Sequence, residues 1–190
     1  MVPSLSPALS KIELRAAMRS ARHGYVEALG AAERTALEAS LAEHLRTLVA
    51  RAAAVGAYHS VGSEIDPSAA ILAAAQVALP SVGPHLTGFT LRRGPATSAG
   101  PHGIPQPSGD ADEIACDLIL VPLLAIDRAG TRLGQGGGHY DRVLAGLRSD
   151  GARLIGIGWA MQRVDFLLPV EPWDVPLDGF ACPAGLEMFR

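Results

Sequence analysis

The chain has 190 residues, 48% hydrophobic, 18% charged and 5% aromatic, with a net charge of −3. That length suits a single domain, residues 1–190, with a sizeable core, and the composition excludes a disordered chain. The charge balance excludes a global basic field that would recruit nucleic acid or an anionic membrane.

Ser10-Lys11-Ile12-Glu13 matches a capping box, Ser at the N-cap and Glu three residues on. The spacing predicts a helix from there to about His23, with Gly24 as its stop. Leu14, Met18 and Ala21 share one face, while Lys11, Arg15, Arg19 and Arg22 recur at helical spacing on another. Arg19 and Arg22 read as a solvated basic stripe. Lys11 and Arg15, in the first two turns, stand where they can reach a ligand. A second helix over residues 31–48 carries Leu37, Leu41, Leu45 and Leu48 on one amphipathic face. Residues 53–59 (AAVGAYH) read as a short buried strand, closed by a turn at Ser60-Val61-Gly62-Ser63. Residues 67–77 read as a helix with Pro67 in its first turn. A weak strand follows over 79–91, broken by Pro80, Gly83, Pro84 and Gly88.

Residues 94–109 are nearly all loop formers, which predicts a surface loop or lid. The run LILVPLLAI at 118–126 is a continuously apolar strand, and a glycine-rich loop follows it. A helix is expected over 139–147, then a second apolar strand at 153–159 (RLIGIGW) and a strand-like piece at 179–182. Strands alternating with helices, and central strands apolar on both faces, predict an α/β fold. Its sheet should be parallel or mostly parallel and covered on both sides.

The glycine-rich loop, Thr131 to Arg142 (TRLGQGGGHYDR), is the strongest chemical signal. Gly134, Gly136, Gly137 and Gly138 leave a backbone free to take positive φ and to approach a ligand with no Cβ in the way. Successive main-chain N–H groups in such a turn can cradle an anion, and a following helix start adds its positive dipole end. Arg132 and Arg142 flank the loop, and Asp141 offers a carboxylate for a metal or a proton. A Walker A loop would need a Lys and a Ser or Thr that are missing here. The dinucleotide G-x-G-x-x-G fails because His139 replaces its third glycine. A tight strand-to-helix turn needs glycine for packing alone, so that reading stays open beside phosphate binding, which the loop favours.

Glu64 and Asp66 follow the first strand at its carboxyl end, where open α/β sheets bind ligands. For Glu64 a ligand contact and a solvated helix N-terminus are both open; Asp66 is assigned to the second. Asp174 sits in the proline-rich loop LPVEPWD. It is either an ordinary turn carboxylate or a partner of Asp141 as an oxygen ligand for Mg²⁺. The six histidines show no zinc spacing, and no G-x-S-x-G elbow is present. Cys116 and Cys182 lie in apolar surroundings and read as small buried hydrophobes. The opening MVPSLSPALS lacks the charged and apolar regions of a signal peptide, and no apolar stretch reaches membrane-span length. A soluble, cytoplasmic monomer that binds neither nucleic acid nor membrane is the expectation.

Taken in order along nearly the whole chain, these residues resemble the 5-formyltetrahydrofolate cyclo-ligase (methenyltetrahydrofolate synthetase) family. Lys11-Ile12-Glu13-Leu14-Arg15 looks like its K-x-x-L-R opening. Tyr58 through Glu64-Ile65-Asp66 is similar to its Y-x-(5)-E-[IV]-[DE] segment, and Gly103-Ile104-Pro105-Gln106-Pro107 to its G-I-x-E-P segment. The stretch from Asp117 to Arg142 resembles the family signature VP…D…G.RLG.G.G.YDR, which is highly specific. Gln162, Leu168-Pro169 and Asp174 are like its Q…L-P-x-(3)-D tail. The chain departs from the pattern at His139, where relatives usually carry an aromatic, and at Gln106, Pro67 and Cys182.

The resemblance implies a three-layer Rossmann-like fold. It also implies an ATP- and Mg²⁺-dependent cyclisation of 5-formyltetrahydrofolate to 5,10-methenyltetrahydrofolate, with ADP and phosphate released through an N5-iminium phosphate. It implies ATP contacts from Lys11, Arg15, Arg132, Leu133, Gly134, Gln135, Gly136, Gly137, Gly138, His139 and Tyr140. Folate contacts are implied for Arg15, His59, Glu64, Gln135, Gly136, Gly137, Gly138 and His139, with Glu64 at the pterin or formyl end. Asp141 and Asp174 are implied as the Mg²⁺ ligands. A folate- or nucleotide-binding paralogue with little or no turnover is the alternative.

Overall fold

The computed structural model describes residues 9–83 and 88–189. Helix α1 (Lys11–Ala28) opens with the expected capping box. The Glu13 N–H donates to the Ser10 hydroxyl (3.3 Å) and the Ser10 N–H donates to the Glu13 carboxylate (2.8 Å). The helix does not stop at Gly24. Tyr25 and Val26 beyond it pack on the core, and that burial outweighs the ~1 kcal/mol that a glycine costs a helix interior. Helix α2 (Ala31–Arg51) buries Leu41, Leu45 and Val49 along the predicted stripe.

The strands are β1 (Val55–Gly56), β2 (Val77–Ser81), β3 (Thr90–Arg93), β4 (Ser98–Ala99) and β5 (Pro105–Gln106), then β6 (Leu118–Pro122), β7 (Ala125–Ile126) and β8 (Arg132–Leu133). After the short helix α3 (Leu144–Ser149) come β9 (Arg153–Ile157), β10 (Gly179–Cys182) and β11 (Gly185–Met188). Seven of them form one sheet in the order β11-β10-β9-β6-β1-β2-β3. The five inner strands pair in parallel, while β3 and β11 close the edges antiparallel. This is the α/β architecture with the mostly parallel sheet that the alternation of elements predicts.

Side-chain alternation explains why the inner strands read as unbroken apolar runs. Leu118 and Leu120 of β6 join Val55, Ile155 and Ile157 against α2 on one face. Ile119 and Val121 join Leu154, Phe180 and Leu144 on the other. A third cluster seats Leu14 and Met18 of α1 against Leu124, Ala125, Leu133, Val164 and Leu168, beyond the carboxyl end of β6. The chain leaves β1 in one direction to form β2 and returns on the other side of β1 as β6. The strand order therefore reverses between β1 and β6, and a crevice at their carboxyl ends is the expected binding place.

Four local expectations need correction. Residues 67–77 do not form a helix. They hold only a single 3₁₀ turn at Ala70–Ala73, because Val77 is drawn into the sheet opposite Val55. Residues 79–91 contain two antiparallel strands in place of one, with Pro84 outside the described residues. The 94–109 segment is not wholly loop. It folds into the β4–β5 ribbon, which the Gln106 amide fastens to both backbone groups of Val82 (3.0 and 3.3 Å). The helix expected at His139 begins only at Leu144. Tyr140, packed edge-on against Phe89 (4.9 Å between centroids), and Asp141, held by Arg132, fix an irregular turn ahead of it. The glycine loop therefore carries no helix-dipole contribution at its end.

Both cysteines are buried free thiols, as expected, and burial pushes the Cys116 thiol up to about 11. Among the described residues no helix is long and apolar enough to cross a membrane.

Gln162 is a buried polar pin between β9 and the segment after β6. Its amide donates to the carbonyls of Leu123 (2.6 Å) and Leu124 (3.1 Å) and accepts from the Trp159 N–H (2.8 Å). Replacing Gln162 with Leu strands the Trp159 N–H and the Leu124 carbonyl and leaves the Leu123 carbonyl to Arg22 alone. The expected loss is roughly 3 kcal/mol, seen in a thermal melt as a fall of about 10 °C in Tm.

Candidate functional site

A cavity of about 1000 Å³ opens where the β1–β6 reversal predicts, at the upper end of the size of small-molecule sites. Its walls come from the N-terminal half of α1, the turn after β1, the β5 ribbon, the glycine loop and the Asp174 loop. The residues that the resemblance implies for ATP, folate and metal all line this one cavity: Lys11, Arg15, His59, Glu64, Arg132 through Asp141, and Asp174. Segments separated by up to 163 positions are brought together.

The glycine loop is held from outside, leaving its donors unused. Gly136 (φ +102°) and Gly138 (φ +68°) take the left-handed conformations that the sequence suggests. Arg15 donates to the Gly134 carbonyl (3.1 Å), Arg142 to the Gly137 carbonyl (3.2 Å), and Arg19 to the Gln135 carbonyl (3.4 Å) and side chain (3.2 Å). Among the described residues, no N–H from Gln135 through Tyr140 donates to another main-chain group. Carbonyls turned onto arginines and N–H groups left free give the loop the polarity of an anion cradle.

Two carboxylates meet this cationic rim. Asp141 pairs with Arg132, whose guanidinium is 7% exposed and stands 5.7 Å from the Tyr140 ring centroid. Burial pulls the pKa of Arg132 down, against the opposing pull of Asp141, Tyr140 and Asp174. Asp174 pairs with Lys11 (2.7 Å) and also accepts the Glu171 N–H (2.8 Å), so a turn carboxylate also lines the cavity. Both carboxylates thus act on the same guanidinium from different loops.

At the other end, Glu64 accepts from the Val61 N–H (3.0 Å) and the Gln135 amide (3.2 Å), with Arg22 at 3.7 Å. Tyr58 is buried and donates to the Ile65 carbonyl (2.9 Å). Burial, reinforced by Glu64, raises its pKa well above that of a free phenol, and burial raises that of Tyr140 too, so both rings stay neutral. His59 Nε2 and His139 Nδ1 are buried ring nitrogens with no partner among the described residues. Phe89, Pro80, Val82, Ile104 and Pro105 supply an apolar wall. Asp66 stays out of the cavity. It caps a local turn by accepting from the Ser68 N–H (2.9 Å) and hydroxyl (2.6 Å).

The solvated-stripe reading fails for Arg22. Arg19 is exposed, but it engages Gln135 on the cavity rim. Arg22 is 4% exposed and donates to the Ser63 hydroxyl (3.0 Å) and the Leu123 carbonyl (3.4 Å). The signal was present in the spacing, since Leu14, Met18 and Arg22 fall at i, i+4 and i+8 on the buried face.

Comparisons with known proteins identify the family. Residues 8–183 match the model of the 5-formyltetrahydrofolate cyclo-ligase family. A 5-formyltetrahydrofolate cyclo-ligase of Mycolicibacterium smegmatis is 36% identical over 192 aligned positions, 92% of this chain and 94% of that one. One from Haemophilus influenzae is 44% identical over 61 residues, a match that spans only 32% of each chain. The solved Aquifex aeolicus 5,10-methenyltetrahydrofolate synthetase superposes with a TM-score of 0.79 at 27% identity, over 96% of this chain and 94% of the other.

Both loops that carry the paired aspartates hang on Asp127, which is fully buried. One of its oxygens accepts from the N–H groups of Ala129 (2.9 Å) and Thr131 (3.0 Å), the other from that of Leu168 (2.9 Å). Asn in its place turns an NH₂ toward one of these donors. Asp127→Asn is expected to cost about 1–3 kcal/mol in denaturant unfolding. It should also speed amide hydrogen exchange in one of the two loops, which loses its anchor.

Proposed function

The chain belongs to the 5-formyltetrahydrofolate cyclo-ligase family, a family of ring-closing enzymes, and we propose that it converts 5-formyltetrahydrofolate to 5,10-methenyltetrahydrofolate with ATP as cosubstrate and Mg²⁺ as metal, releasing ADP and phosphate. The observation that carries the reading is the convergence, in one cavity, of an anion cradle, two carboxylates and a separate polar pocket around Glu64.

The phosphates of ATP would lie on the free N–H groups of the glycine loop, flanked by Lys11, Arg15 and Arg132. Among the described residues no cluster of three or more His, Cys, Asp or Glu could hold a metal by itself. Asp141 and Asp174 nevertheless suit Mg²⁺, which is commonly bound through one or two carboxylates plus phosphate oxygens and water. When bound, the ion would neutralise charge on the β- and γ-phosphates. Arg132 and Lys11 hold those carboxylates in this structure, so metal entry would release both cations toward the phosphates.

In the proposed reaction the formyl oxygen attacks the γ-phosphorus and the bond to ADP breaks. N10 then attacks the activated carbon, loses its proton, and the carbon–oxygen bond breaks as phosphate leaves. Such a sequence asks the protein mainly for positioning and charge neutralisation. Glu64 and His59 would orient the pterin, and the wall at Phe89 and Ile104 would exclude water. The basic loop would meet the developing phosphate charge.

Mixing the protein with 5-formyltetrahydrofolate, Mg²⁺ and ATP is expected to produce the absorbance of the methenyl product. Tight folate binding without that product would make the chain a binding paralogue instead. Asp141→Asn is expected to cut turnover at least about a hundredfold, the scale of a lost metal contact. A cooperative melt of the variant would show that the fold survives, and unchanged turnover would reject the metal role.

A further inference from the structure

Arg22 is the most thoroughly buried cation facing the cavity, and the ATP and metal roles leave it unused. Its guanidinium is fixed at three points. Nε donates to the Ser63 hydroxyl (3.0 Å), and one terminal nitrogen reaches both the Leu123 carbonyl (3.4 Å) and Glu64 (3.7 Å). These partners belong to the turn after β1 and to the chain leaving β6, the two segments that border the crevice. A buried guanidinium without a counter-charge would cost several kcal/mol, and among the described residues Glu64 is its one carboxylate partner.

Glu64 gains as much from the arrangement. Its side chain is 11% exposed, and it accepts from Val61 N–H through one oxygen and from Gln135 through the other. A carboxylate has about four acceptor positions, so two remain for a ligand. The Gln135 contact comes from the exposed loop, whereas Arg22 approaches from the buried side. The buried cation sets the carboxylate's direction, and the exposed amide covers it.

We propose that Arg22 is a positioning residue for substrate recognition, holding the Glu64 carboxylate from behind so that its free acceptor positions face the N–H groups of a pterin. Arg22 touches neither substrate. It acts through Glu64, and therefore on the folate and not on the nucleotide. The assignment rests on the proposed contact between Glu64 and folate.

Steady-state kinetics of three variants test it. Arg22→Lys keeps the charge and loses the planar fork, and should raise KM for 5-formyltetrahydrofolate roughly tenfold, with KM for ATP unchanged and kcat moved less. Ser63→Ala removes one anchor of the guanidinium and should give a smaller rise of the same kind. It remains informative if Arg22→Lys does not fold. Glu64→Gln should raise the folate KM by itself, and its combination with Arg22→Lys should fall short of the product of the single effects. If Glu64→Gln leaves the folate KM unchanged, the Glu64 reading fails and the inference falls with it. If Glu64→Gln raises it while folded Arg22→Lys and Ser63→Ala do not, or raise both KM values alike, only the role of Arg22 is overturned.

Discussion

A buried carboxylate with no cation at ion-pair distance among the described residues is the constraint on which the rest of this site depends. Asp127 follows directly from β7 and closes the β7–β8 turn by accepting two N–H groups of that turn. Its second oxygen reaches across 41 residues to the Leu168 N–H. The turn leads through β8 into the glycine loop, and the Leu168 segment leads to Asp174. One anion thus sets both loops relative to each other. Main-chain donors suit this task better than a lysine would, because charge-assisted bonds to rigid N–H groups leave no long side chain to order. Leu124, Leu133 and Leu168 pack around the same place and keep water from competing.

The cavity also resolves a charge problem that the net charge of −3 conceals. Lys11, Arg15, Arg19, Arg22, Arg132 and Arg142 all crowd one end of the sheet, and bare cations at such spacing would repel. Each is instead discharged locally. Lys11, Arg22 and Arg132 meet the carboxylates of Asp174, Glu64 and Asp141. Arg15, Arg19 and Arg142 meet carbonyls of the glycine loop. Binding the loop through its carbonyls orients the opposite ends of the same peptides. The arginines that look like direct phosphate ligands therefore also shape the backbone that would cradle the phosphate.

How far the sequence reaches depends on where a residue's partners lie. The apolar runs of β6 and β9 and the stripe of α2 are legible because their partners are many and interchangeable, so only the period matters. The glycine loop is legible because positive φ at Gly136 and Gly138 restricts residue choice. Asp127 stands in the family signature, but its role is not legible there, since its partners are peptide N–H groups that every sequence offers. Arg22 was assigned to solvent because arginine usually belongs there, although its place on the Leu14–Met18 line pointed inward. Gln106 shows the same limit. It differs from the family pattern at an acidic position, yet only the folded ribbon reveals that an amide can both donate to and accept from Val82, where a carboxylate could only accept. The delayed start of α3 was hidden too, because the Phe89–Tyr140 contact that shapes the preceding turn joins residues far apart in sequence.

Helix α1 turns these separate contacts into a single ruler. Leu14 and Met18 fix its inner face on the hairpin that Asp127 holds, so its rotation and height are set by burial and not by the ligand. From Lys11 to Arg22 the helix advances about 16 Å, at roughly 1.5 Å per residue. Along that length its cations meet Asp174, the Gly134 carbonyl, Gln135 and Glu64 in turn. The order runs from the Asp174 loop, past the glycine loop, to the Glu64 pocket. A helix whose cations were placed only for solubility would have no reason to follow that sequence of partners. Its register, fixed by two apolar side chains, aligns the glycine loop and the Glu64 pocket along one rigid element, which the proposed reaction between two bound substrates requires.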